Sequence, residues 1–324
     1  MRAAEMIPKI KKSYTLHRSI INSVVLILLM LLIGQLATGS FVNMVNILTI
    51  LKLASFVAMF ALCQLICMSA DGSGIDLSIG YTATMSAIIG ARIMSGSDQG
   101  IILAILAAIA LGAGIGAVNG TLISWVKLPP LVMTLAMSII LQGVINIIAH
   151  YYKLTGEPGP SLVQLAAKST GGVFPNLLFV MVVVVIVVVF LLTRTKAGMK
   201  IFGLGTNEQA ALFSGLNTKR IRLLTYVVSG VIAALIGVLL IGYMGLPMKD
   251  MGSTYLMPSV AAAVLGGVQR GTGNYVGVVL GAVFLQILSN LLIALNWGDG
   301  AKYLAFGLIL AVLLTVYINN KRNR

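Results

Sequence analysis

The residue types that could do chemistry are few, and most of them crowd into one stretch. The segment SADGSGIDLSIGYTATMS (69–86) carries Asp71 and Asp76 on either side of a Gly-Ser-Gly turn, followed by Ser78, Tyr81, Thr82, Thr84 and Ser86. It is embedded in apolar sequence, and an acid near membrane depth is costly enough that it faces a pathway or a polar partner. Asp76, Ser78, Tyr81 and Thr82 are therefore candidates for lining a substrate pathway or its gate. Asp76 also stands where an aspartate caps the helix that follows, and the two roles can coexist.

Catalysis has little else to work with. There is no G-x-x-x-x-G-K-[ST] phosphate loop and no HExxH or GxSxG pattern. His17 and His150 lack acidic or thiol neighbours in sequence, and His150-Tyr151-Tyr152 reads as an interfacial aromatic belt. Cys63 and Cys67, one helical turn apart in apolar sequence, read as buried small hydrophobes rather than a disulfide or zinc site. The expectation is a chain that is not an enzyme and binds no metal or cofactor of its own.

The elements that must position these residues are membrane helices. Of the 324 residues 59% are hydrophobic and 9% charged, against about 25% charged in a soluble domain. Apolar segments fall at 20–38, 53–70, 76–94, 101–125, 131–150, 176–193, 223–246, 255–269, 274–296 and 301–319. The fold expected is an all-α polytopic membrane protein with about ten transmembrane helices. Residues 43–52 carry apolar positions at helical spacing and read either as an interfacial helix or as the first turns of span two. The valine-rich run 180–192 favours strand by propensity, but an open strand in lipid leaves its amides unpaired, so it is read as helix.

The net charge of +14 is a topological signal, not one for nucleic acid. With the N-terminus inside and ten spans, 16 basic residues fall on inside segments and six elsewhere, the bias expected of cytoplasmic loops. Both termini are then cytoplasmic. Residues 1–18 form a basic N-terminus, 19–319 the membrane domain with a cytoplasmic loop at 194–222, and 320–324 a cytoplasmic tail. Glycine every fourth residue, at Gly112, Gly116 and Gly120 and again at Gly273, Gly277 and Gly281, makes stripes on which another helix packs closely. TLAMSIIL (134–141) aligns with YLAFGLIL (303–310). The offset of five spans would make this an inverted internal repeat, a common basis for a pathway that can face either side.

One loop is polar enough for water. In FGLGTNEQAALFSGLNTKRIR (202–222), Thr206 and Gln209 fit a capping box and Gly215 a left-handed stop. A short capped helix with Leu212 and Phe213 presented outward is either a docking element or a helix lying on lipid headgroups.

GIDLSIG, GTNEQAALFSGLN and YVVSGVIAALIGVLL resemble the membrane permeases of bacterial ABC importers for ribose, galactose, xylose and related compounds, over about residues 46–319. The sequence departs from that pattern in TYLMPS (254–259), where the family carries Tyr-Glu-Leu-Asp, in MSADGS ahead of GIDLS, and in the shorter turn GGVQRGTGNYVG. The resemblance implies a multi-pass protein of the bacterial inner membrane, paired with a second permease chain as homodimer or heterodimer. It also implies a separate ATP-binding subunit, which uses the ATP, and a periplasmic solute-binding protein. The loop after span six would be the helix that seats on the ATPase, with Thr206, Asn207, Glu208, Ala210, Ser214 and Gly215 at matching positions. The solute would be a monosaccharide or similar small molecule. Within ABC importers, branched-chain amino acids or nucleosides are the nearer alternatives, and composition alone also fits a channel or secondary transporter.

Overall fold

The computed structural model describes the backbone of residues 2–311 except 72, 73, 269, 270, 272, 299, 303 and 310, with side chains from Ile20 onward in that range. The tail at 320–324, the second half of the tenth apolar segment and the side chains of the basic N-terminus lie outside the described residues.

The chain is helical almost throughout. In order come α1 (Arg2–Thr38), α2 (Met44–Ala70), α3 (Ile79–Met94), α4 (Ile101–Ser124), α5 (Pro130–Tyr151) and α6 (Pro160–Ala166). A two-residue hairpin pairs β1 (Ser169–Thr170) with β2 (Phe174–Pro175), and then come α7 (Asn176–Arg194), α8 (Lys196–Thr206) and α9 (Glu208–Phe213). The last labelled elements are α10 (Thr218–Met244), α11 (Leu256–Leu265) and α12 (Tyr275–Ala294). The valine-rich run lies in α7, and residues 44–52 are the first turns of α2, continuous with it.

Among the described residues, seven helices are long and apolar enough to cross a membrane: Ile20–Thr38 of α1, then α2, Asp98–Ser124, α5, α7, α10 and α12. The other apolar segments form shorter helices. Helix α3 has 16 residues, about 24 Å against a hydrocarbon core of roughly 30 Å. Ser253–Leu265 and Gly300–Ile309 are also short. The protein is an all-α polytopic membrane protein.

Sequence cues end the helices where they should. Proline opens α5 and α6 at the first turn, where its missing N–H costs nothing. Asp98 ties the start of α6 to the loop before α4, accepting from Ser161 N (2.9 Å) and Ser161 Oγ (2.6 Å).

Contacts divide the chain into two compact units, one of residues 1–61, 257–268 and 274–324, the other of 62–256 and 269–273. In the first, Phe41, Ile50, Ile287 and Leu291 form a core against which Ile27, Met30 and Leu31 of α1 pack. Gly277 lies against the Gly266 carbonyl and Gly281 against Ala262, so α11 and α12 approach backbone to backbone. Gly273 does not belong to this stripe, because α12 begins only at Tyr275, after its cap Asn274. Asn274 accepts from Gly277 N (3.0 Å) and donates to the Gly266 carbonyl (2.7 Å).

In the second unit α3, α4 and α10 pack together, with α5 alongside through Met85, Ile88 and Ile145. Gly112 faces the Gly230 carbonyl, Gly116 the Tyr226 carbonyl and Gly120 the backbone of Leu223. A side chain at any of the three would drive into α10 backbone, which cannot step aside. Helix α3 is buried on nearly every side and is pinned by Ser86 Oγ, which donates to the Ala234 carbonyl (2.7 Å). Cys63 and Cys67 of α2 are reduced thiols buried in this unit.

Gly116→Leu should therefore destabilise the purified protein by at least about 1–3 kcal/mol, the range of an overpacked core, and lower its abundance in the membrane. Gly114→Leu on the same helix meets open space and should leave both unchanged. Equal thermal melting of the two variants would show that the α4–α10 approach is not a constraint.

Candidate functional site

The polar stretch after α2 folds into a node held from three helices. Gln64 of α2 clamps the backbone of Asp76, accepting from its N–H (3.0 Å) and donating to its carbonyl (2.9 Å). Asp76 Oδ1 accepts from Ser78 N (3.0 Å) and Ser78 Oγ (2.6 Å), and Oδ2 accepts from Ser229 Oγ of α10 (3.1 Å). Asn119 of α4 donates to Ser78 Oγ (2.9 Å). Asp76 is 1% exposed and Ser78 2%, so both face protein rather than an open channel.

This corrects the capping expectation. Helix α3 starts at Ile79 with Ser78 at its cap and no side-chain capping bond. Asp76 instead closes a turn on Ser78 and reaches across to α10. A carboxylate removed from water needs such donors, because an unpaired buried charge is far more costly than a paired one. Thr82 is buried and donates to the Ser78 carbonyl (2.9 Å). Of the four pathway candidates only Tyr81 keeps partial exposure, and its hydroxyl lies within reach of Ser253 and Gln142. Asn119 Oδ1 and the Tyr226 hydroxyl are buried without a hydrogen-bond partner among the described residues, so the interface of α4 and α10 retains unused polar capacity beside the node.

The candidates of the 194–222 loop form a second feature. Thr206 is the last residue of α8 and donates to the Phe202 carbonyl (2.8 Å). The cap of α9 is Asn207, whose Oδ1 accepts from Ala210 N (3.0 Å), so the Thr206–Gln209 capping box does not form. The error is one residue of register: Asn caps as well as Thr, and the α8 helix ahead of it consumed the threonine. Gly215 takes the left-handed conformation (φ 76°), and Leu216 N bonds back to the Ala211 carbonyl (3.1 Å), ending α9. Ala210 and Ser214 are exposed, Ala211 is buried, and the tip of the helix presents Leu212 and Phe213, the latter 90% exposed.

Glu208 turns inward. Its Oε1 lies 3.0 Å from Arg222 Nη2, and Arg222 Nε lies 3.6 Å from Asp71 Oδ2. The end of α8 also seats on the end of α2, where Gly205 packs on the Ser69 carbonyl and Gly271 N donates to that same oxygen (2.9 Å).

Comparison with known proteins decides the class. The family described as the permease component of the branched-chain amino acid transport system matches residues 46–316. The chain belongs to this permease family. Among its relatives, the ribose import permease of Escherichia coli K12 is 29% identical over 311 residues, covering 93% of this chain and 94% of that one. The D-allose transport system permease of the same strain is 28% identical, covering 82% and 81%. The fructose import permease of Rhizobium meliloti is 27% identical, covering 94% and 87%. No solved structure matches. The protein is thus a multi-pass inner-membrane permease subunit, not an enzyme.

Sequence reasoning missed Gln64, Asn119, Arg222 and Ser229 of this permease. The signal was available for two of them. Arg222, Tyr226 and Ser229 follow the i, i+4, i+7 spacing of one helical face, on which a charge in apolar sequence marks a polar partner. Gln64 and Asn119 are lone amides on apolar helices, and only the tertiary fold shows what they meet.

The node predicts an order of damage. Asp76→Asn keeps an acceptor for Ser78, whereas Asp76→Leu leaves the Ser78 amide and Ser229 hydroxyl without it, at about 1–3 kcal/mol per orphaned group. Melting of the detergent-solubilised permease should fall much further in the leucine variant. Matched losses in the two would mean that the charge, not the hydrogen bonding, holds the turn.

Proposed function

We propose that this permease is the membrane subunit of an ATP-driven importer that moves a monosaccharide or similar small solute by alternating access. A periplasmic binding protein delivers the solute, and a separate ATP-binding subunit docks on α9 of each of two permease chains in the membrane. The observation that carries this reading is the outward tip of α9. It is a short capped helix whose apolar Leu212 and Phe213 are left exposed by the described residues. Glu208 is engaged inward with Arg222, which leaves the tip and the exposed Asn207, Ala210, Ser214 and Gly215 as the docking face. Relatives named for ribose, allose and fructose favour a sugar over the branched-chain amino acids of the family description.

The finer topology belongs to the same proposal. Ten spans, with α3, Ser253–Leu265 and Gly300–Ile309 completing the seven longer helices, place both termini and α9 in the cytoplasm. An inverted repeat of the two halves is supported by the matching use of glycine in α4 and α12 for close helix approach. In the pathway role, Tyr81 is the side chain that faces the solute, while Asp76, Ser78 and Thr82 hold the turn that presents it.

Phe213→Asp tests the docking face without touching the fold, because the side chain it replaces contacts nothing that must be rebuilt. The variant should reach wild-type abundance while retention of the ATPase in pull-down and uptake of ribose both fall at least about 10-fold, the loss expected for a central apolar anchor. Reporter fusions after residue 208 should read cytoplasmic and those near 160 and 250 periplasmic. Full ATPase retention by the variant, or a periplasmic signal at 208, would overturn the proposal.

A further inference from the structure

We propose that Arg222 is the positioning residue through which movement of α9 reaches the polar node at Asp76. The inference rests on the reading of α9 as the ATPase-docking helix. Three basic residues open α10, but they are not equivalent: Lys219 and Arg220 are exposed, whereas the Arg222 side chain is only 13% exposed. Its rigid, forked guanidinium holds two carboxylates in fixed directions at once, a geometry that the compact ammonium of a lysine does not impose. One arm, Nη2, is 3.0 Å from Glu208 Oε1 at the first residue of α9. The other, Nε, is buried with no hydrogen-bond partner among the described residues and stands 3.6 Å from Asp71 Oδ2 at the end of α2. That second contact is an ion pair just short of a hydrogen bond, and a small shift of either partner completes or breaks it.

What Asp71 does next makes the contact consequential. Its carbonyl accepts from Gly74 N (2.6 Å), and Gly74 is wedged against the carbonyls of Cys67 and Asp71 so closely that no side chain fits. Gly74 therefore has little room to move relative to Asp71. Two residues later Asp76 is bonded to Ser229. Arg222 and Ser229 lie seven residues apart on one face of α10, about 10.5 Å along the axis. One helix face thus grips Asp71 through Arg222 and Asp76 through Ser229. Helix α9 is joined to that grip at Arg222, and its only buried residue is Ala211. A pull on α9 loads Arg222 first, then Asp71 and the Gly74 bonded to it, then the node that Gln64 and Asn119 complete.

The test follows amide hydrogen exchange in the peptide spanning 74–86 of the intact permease–ATPase complex, with and without ATP. No transported solute is needed. Wild type should show an ATP-dependent change in exchange. Arg222→Gln should retain the ATPase but shrink that change by about 2- to 30-fold, the range for residues along a coupling route, and Arg222→Lys should restore part of it. Glu208→Gln, at a half-exposed position, carries the test if Arg222→Gln does not accumulate, and should shrink the change in the same direction. A wild-type ATP response in the glutamine variants, or no response at 74–86 in a wild-type complex that holds its ATPase, overturns the inference alone. Failure of the wild-type chain to retain an ATPase overturns the docking reading and the inference with it.

Discussion

The close approach of α4 and α10 is the constraint on which the second unit depends. Lipid offers no hydrophobic force to push two apolar helices together, so they associate through van der Waals packing and whatever polar groups can meet. Gly112, Gly116 and Gly120 remove the side chains that would hold the backbones apart. Once the helices are that near, Asn119 of α4 reaches Ser78 and Ser229 of α10 reaches Asp76. The hydrogen bonds could not close across an ordinary helix separation, and without them a carboxylate could not remain where Asp76 lies. Packing and polar chemistry are thus one device, with glycine setting the distance at which the serines and amides become useful.

Around this fixed node the permease keeps a less buried appendage. Helices α8 and α9 are short, capped by Thr195 and Asn207, and broken by a single residue between them. Helix α8 is anchored by buried Ile201 and Leu204 and by Gly205 on the Ser69 carbonyl, whereas α9 holds on through one buried alanine and the Glu208 ion pair. Local stability in proteins follows the density of such buried contacts. An element that must respond to a partner is best drawn from the weakly packed end of that range, and an element that must hold its shape from the other.

Much of this was legible beforehand because membrane physics is restrictive. Lipid forbids open strands, so the valine run of α7 had to be helix whatever its propensity. Glycine spacing pointed to backbone contact, since the residue offers little else in a helix. The reading failed where two local signals competed. Thr206 and Asn207 are both good caps, and nothing in 202–222 announced that α8 would run on to absorb the threonine. Gly273 fitted the four-residue spacing of its stripe but stands ahead of the Asn274 cap, outside the helix. Asp76 was read as the cap of a helix that in fact starts at Ile79 behind Ser78, and its partner Ser229 lies 153 residues away. Partners at that distance are set by topology, which no local pattern encodes.

The two native thiols have a practical consequence. Cys63 and Cys67 are sealed inside α2, with relative exposures of 0% and 1%, and thiols in such surroundings are inert toward aqueous reagents. The wild-type chain is therefore already a silent background for maleimide chemistry. A single cysteine introduced on the outer surface could carry a fluorophore or spin label without first stripping the natural ones, so distances in the working transporter can be read on an otherwise unaltered protein.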